Sequence, residues 1–152
     1  MRSFLPAALA VAALGLSACE GRHGQAANGN ICSSFKQART PAVIAADGGA
    51  GPVDECVRRW AYSLAGSRDD AELVAGAAVT ACNAPLARWN QQALAQPGGG
   101  GEAASVITGE TTTPLAEHNT FTRERALFYV IQARAGHCAP PPAKDGVPEG
   151  VG

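Results

Sequence analysis

The residues best suited to chemistry in this chain are its five cysteines, Cys19, Cys32, Cys56, Cys82 and Cys138. A thiol near a helix N-terminus, where Cys56 is expected, can ionise at low pH and react. No C-x-x-C pair occurs, however, and Cys56 falls on an apolar stripe, so structural disulfides are expected and not redox catalysis. His23, His118 and His137 are scattered; His137 adjoins Cys138, but nothing has zinc-ligand spacing, and no metal or other cofactor is expected. Ser33, Ser34, Ser63, Ser67 and Ser105 lack a G-x-S-x-G elbow. The paired acids Asp54-Glu55 and Asp69-Asp70 sit at expected helix starts, where they complement the helix dipole. The glycine runs Gly48–Gly51 and Pro97–Gly101 have no Walker lysine and read as linkers. No catalytic residue is assigned and the expectation is a non-enzymatic protein. An enzyme would instead reveal polar residues clustered in a concave site.

One cysteine belongs to a different chemistry. Arg2, the apolar run Phe4–Leu16 and the small pair Ser17-Ala18 lead directly to Cys19. That is the order of an export signal, with a charged start, a short apolar stretch and a small-residue cut site. The run is well short of the ~20 residues that span a bilayer. Leu16 is too large for the ordinary A-x-A-like site. Leu16-Ser17-Ala18-Cys19 instead resembles the lipobox of bacterial lipoproteins. The resemblance covers residues 1–19. It implies that residues 1–18 are removed and that Cys19 becomes a lipidated first residue. Two or more acyl chains anchor stably where one binds marginally. Glu20 is not the Asp that marks inner-membrane retention, so the resemblance implies the outer membrane, facing the periplasm. The lipid bilayer is then the first expected partner.

The rest of the chain must form a domain able to live there. The four remaining cysteines suit two disulfides in an exported protein. The whole chain carries 12 Lys+Arg against 13 Asp+Glu, and losing Arg2 makes it one unit more negative. No basic run exists, which argues against nucleic acid as a partner. Aromatics are only 5% of residues, so the core must be mostly Ala, Val and Leu, thin enough to need staples.

Residues 19–31 are polar and Gly/Asn-rich and read as a flexible tether. Cys32–Thr40 suggests a short helix, and Val43-Ile44 a short apolar patch. A helix is expected from Gly51-Pro52, with Asp54 and Glu55 in its first turn, to a stop at Gly66. Its apolar stripe is Val53, Cys56, Val57, Trp60, Ala61 and Leu64. A second helix starts near Arg68 with Ser67 as its cap. Its stripe is Val74, Ala78, Cys82, Leu86, Trp89 and Ala93, and Pro85 is expected to kink it or restart it near Asn83, with a kinked helix favoured because the stripe stays in phase. Pro97–Gly101 ends it. A third starts between Pro114 and Thr122 and stops at Gly136, with Leu127, Phe128, Val130, Ile131 and Ala135 as apolar positions. Residues 139–152 are Pro/Gly-rich and read as a disordered tail.

The expected fold is therefore mainly α. An antiparallel helical hairpin plus a C-terminal helix occupies residues 32–138, stapled by two disulfides. In such a hairpin Cys56 and Cys82 lie about 15 and 18 Å from the turn, at nearly the same height. That favours Cys56–Cys82 with Cys32–Cys138. Cys32–Cys56 with Cys82–Cys138 is the alternative. Arg58, Arg59 and Tyr62 lie off the first stripe, and Arg88 lies beside Trp89. These four form a candidate interaction surface, since Arg and Tyr are common interface anchors. The reading reached is an envelope lipoprotein that binds another protein or an envelope polymer. The alternative is an inhibitor or accessory subunit presenting Pro97–Glu102 or Thr108–Thr113.

Overall fold

The computed structural model describes residues 31–35, 49–105 and 108–151. The leader, Cys19, the tether up to Asn30 and the Val43-Ile44 patch lie outside the described residues. The chain is mainly helical: α1 (Ala50–Leu64), α2 (Ala71–Ala81), α3 (Asn83–Ala95) and α4 (Pro114–Ala135). Two short antiparallel hairpins complete it, β1 (Ala103–Ala104) with β2 (Thr111–Thr112), and β3 (Ala143–Lys144) with β4 (Val147–Pro148). Among the described residues no helix is long and apolar enough to cross a membrane.

α4 is the centre of the molecule and packs against α1, α2 and α3. It starts where Thr113 accepts a hydrogen bond from the Ala116 N–H, followed by Pro114 at the first position. Its buried face is Thr122, Ala126, Tyr129, Val130 and Ala133. The small residues let α1 and α2 approach closely, and Val53, Val57, Ala61, Val74 and Ala78 fill the interface. Of the apolar positions named in the sequence, Phe128, Ile131 and Ala135 are exposed.

Both disulfides follow the favoured pairing. Cys56–Cys82 joins α1 to the end of α2, with Cα atoms 5.9 Å apart. Closing that loop stabilises by about 3.5 kcal/mol through lost chain entropy. Cys32–Cys138 closes a separation of 106 residues, with Cα atoms 5.5 Å apart, for about 5 kcal/mol by the same reasoning.

Several expectations need correction. α1 begins at Ala50, so Asp54 and Glu55 fall past its first turn. They act in ion pairs instead, Asp54 with Arg125 and Glu55 with Arg58 and Arg59. Ser67–Asp70 is a turn, and α2 starts at Ala71 after Asp70. The expected kinked helix is two helices, broken at Cys82, whose φ of −101° and ψ of 19° leave the helical region. α3 restarts at once, which places Pro85 in its first turn, where a missing N–H is harmless. Cys32–Phe35 is not the start of a helix. The tail is not disordered: the β3–β4 hairpin carries a buried Pro148, and Val151 packs on the core. A Pro/Gly-rich composition set that expectation, but prolines in turns and edge strands can pack on a ready surface.

Arg134 ties the far end together. From the last turn of α4 it donates to the carbonyls of Ala65 (3.1 Å), Ser67 (3.0 Å) and Asp69 (2.8 Å). Those are the carbonyls at the end of α1 and in the α1–α2 turn, which would otherwise lack partners.

Candidate functional site

The four residues expected to form an interaction surface are split by the fold. Tyr62 is 2% exposed and Arg59 8% exposed, so neither forms an outer surface. Tyr62 donates to Gln132 Oε1 (2.8 Å) and accepts from the Ser33 N–H (2.9 Å), tying α1 to α4 and to the N-terminal segment. Phe35 stands edge-on to its ring at 5.0 Å. Arg58 is half-buried on Glu55 and Arg88 is exposed. Arg59 and Arg88 do line one cleft, of about 500 Å³, bounded by the start of α1, the start of α3 and Gly150-Val151.

Beside it on α1, Asp54 holds a second network. Arg125 donates to Asp54 Oδ1 (2.6 Å), and the Tyr129 hydroxyl donates to Asp54 Oδ2 (2.8 Å). The hydrogen bond to Asp54 raises Arg125 above its usual range. Burial, then the bond to Asp54, pushes the Tyr129 phenol up to about 12. Arg125 also lies over the rings of Tyr129 (4.7 Å) and Phe128 (5.3 Å). This is a staple between α1 and α4, and none of its three members lines the Arg59–Arg88 cleft.

A second cleft, of about 490 Å³, lies between α3, the β1–β2 hairpin and the first turns of α4. It collects Ser105, His118, Glu110, Glu117, Glu124 and several threonines. The hairpin is tied by the Ser105 N–H donating to the Glu110 carbonyl (2.8 Å), which fixes Ser105 at the cleft. His118 stacks on Trp89 with ring centroids 3.5 Å apart and 14° between planes. Its Nδ1 lies 2.8 Å from Asn90 Oδ1, so Nδ1 carries the proton and Nε2 is the acceptor of the neutral ring. Burial lowers the His118 pKa, which keeps that ring neutral near pH 7. Sequence spacing could not reveal this group, because Trp89 and Asn90 reach His118 only through the α3–α4 packing. It is a concave polar cluster of the kind that an enzyme would show. Among the described residues no group of His, Cys, Asp and Glu has the arrangement to hold a metal ion.

The third feature is an outer face. Phe128 is 50% and Ile131 53% exposed, one turn apart on α4. Separately, Ala75, Gly76, Val79 and Leu127 line a shallow groove of about 370 Å³ between α2 and α4, rimmed by Glu72, Arg123 and Glu124. No protein-family model, curated protein or solved structure matches the chain.

Proposed function

We propose that this is a lipid-anchored protein of the bacterial cell envelope, acylated at Cys19, that binds another protein. The reading of Leu16–Cys19 as a lipobox supports the anchor, and with Glu20 it supports the outer membrane, facing the periplasm. The observation that carries the binding reading is the exposed pair Phe128 and Ile131 on α4, a helix that also borders an apolar groove with a charged rim. An apolar centre within a polar rim is the anatomy of a protein interface. An envelope polymer would call for hydroxyl and carboxylate partners together, and those line the α3–α4 cleft and not this face. The inhibitor alternative would present Pro97–Glu102 or the exposed Thr108–Glu110 stretch before β2.

The test is in-cell cross-linking and co-purification from envelopes. We expect a single stoichiometric partner that Phe128→Ser with Ile131→Ser abolishes, while the variant keeps its thermal stability. A partner that survives the substitutions overturns the assignment of the α4 face. Recovery of the protein alone overturns the binding reading. Cys19→Ala should release the chain from the membrane fraction; a pool still attached overturns the anchor.

A second reading is favoured by one observation, the presence of Ser105 and a neutral, oriented His118 in one cleft. In that reading His118 Nε2 is a general base for a hydrolytic reaction. A serine-directed fluorophosphonate separates the two: covalent labelling at Ser105 replaces the binding reading with a hydrolase.

A further inference from the structure

We propose that the cleft between the starts of α1 and α3 binds an anionic oxyacid group, a phosphate or carboxylate, through Arg59 and Arg88. The inference is independent of the α4 face. Arg59 is built into the protein in a way that surface arginines are not. Its side chain is nine-tenths buried. Nε donates to Glu55 Oε1 (2.6 Å) and Nη1 to the Glu149 carbonyl (2.7 Å). Phe35 lies 5.3 Å from its guanidinium carbon. Gly150 closes over it at φ +83°, where a Cβ would lie 3.2 Å from Arg59 Cζ. Yet Nη2 has no acceptor among the described residues, although Arg59 lines an open cleft of about 500 Å³. A guanidinium fixed on two sides and open on the third loses little entropy when it binds a ligand.

Among the described residues the charge balance of the site is positive. Glu55 is the only carboxylate lining the cleft among the described residues, and it is shared between Arg58 and Arg59. Arg88 enters from the opposite wall on α3, with no ion pair of its own among the described residues. Gly51 in the first turn of α1 and Ala84 in the first turn of α3 line the same cleft. First-turn N–H groups have no partner within their helix, and helix N-termini favour anions. The two prolines beside them, Pro52 and Pro85, contribute no N–H, so Gly51 and Ala84 are the donors to watch. The Cys56–Cys82 bridge holds the two helix starts at a fixed separation.

The test uses the full oxidised chain in detergent, titrated with inorganic phosphate, acetate and chloride at constant ionic strength and read by nitrogen–proton NMR. We expect saturable shifts at the Arg59 and Arg88 side-chain N–H groups and at the Gly51 and Ala84 amides. Phosphate tighter than acetate assigns a phosphate-bearing ligand, and the reverse a carboxylate; either supports the site. Arg88→Gln, at an exposed position with no ion pair among the described residues, should weaken binding about tenfold, while Arg88→Lys keeps part of it. Equal shifts with chloride, shifts spread over all basic side chains, or unchanged affinity in Arg88→Gln would each overturn the proposal.

Discussion

Gly136 ends α4 at φ −86°, an ordinary right-handed value, and the left-handed step falls on His137 at φ 48°. The glycine is therefore required by space, not by backbone conformation. A Cβ there would lie 2.6 Å from Cys138 Sγ and 2.9 Å from Cys32 Sγ. Gly136→Ala is expected to destabilise the oxidised protein by about 1–3 kcal/mol, the usual cost of overpacking. In a Cys32→Ala/Cys138→Ala background the same change should cost little. A double-mutant thermal-melting cycle measures the difference, and equal losses in both backgrounds would show that the sulfurs are not the cause. The helix stop at Gly136 is legible in the sequence, but its reason is hidden there, because Cys138 Sγ is held against it by a bridge to Cys32, far away in the chain. Arg59 and Tyr62 are hidden for the same kind of reason. Both lie outside the apolar stripe of α1, and they are buried by the Phe35 ring together with polar partners: Glu55, the Glu149 carbonyl, Gln132 and the Ser33 amide.

At the scale of elements, helices are legible and faces only in part. α2 and α3 keep Val74, Ala78, Cys82 and Leu86 in one buried line, as the spacing indicates. α4 has apolar residues around its whole circumference, so spacing could not choose its inner side. The fold chose the side with small residues, Thr122, Ala126 and Ala133, where α1 and α2 can come close. Phe128 and Ile131 are thereby left outside, and the proposed binding face arises from that choice. The α3–α4 cleft carries its own pH dependence. His118 has a pKa lowered by burial from its usual 6.5, so the folded state takes up its proton less readily than the unfolded chain. Stability should therefore be unaffected above about pH 6.5 and fall as the pH drops through that value. His118→Phe keeps a ring on Trp89 and should remove this part of the acid sensitivity. Melting curves at about pH 7.5 and pH 5 compare the two proteins, and identical losses on acidification would exclude His118 as the source.

For the molecule as a whole, the C-terminal segment is a structural part and not an appendage. It supplies the Glu149 carbonyl to Arg59, the buried Pro148 and the Val151 contact. Ending the chain after Ala139 should cost about 2 kcal/mol or more, since a buried hydrogen bond to a charged group is lost along with its packing. Calorimetry checks this, and an unchanged melting temperature would return the tail to the status of a dispensable extension. The same truncation removes one wall of the Arg59–Arg88 cleft.

The Cys32–Cys138 bridge also decides how the domain would respond to being pulled. Tension arriving from the N-terminal side reaches Cys32 and crosses one covalent bond to Cys138, just past the end of α4. From there the route to Ile131 and Phe128 is a short length of that single helix. Everything between Cys32 and α4 lies on a slack side branch. A partner gripping Phe128 and Ile131 while the N-terminus is held at a membrane would thus load the bridge and the last turns of α4, leaving both clefts out of the line of force.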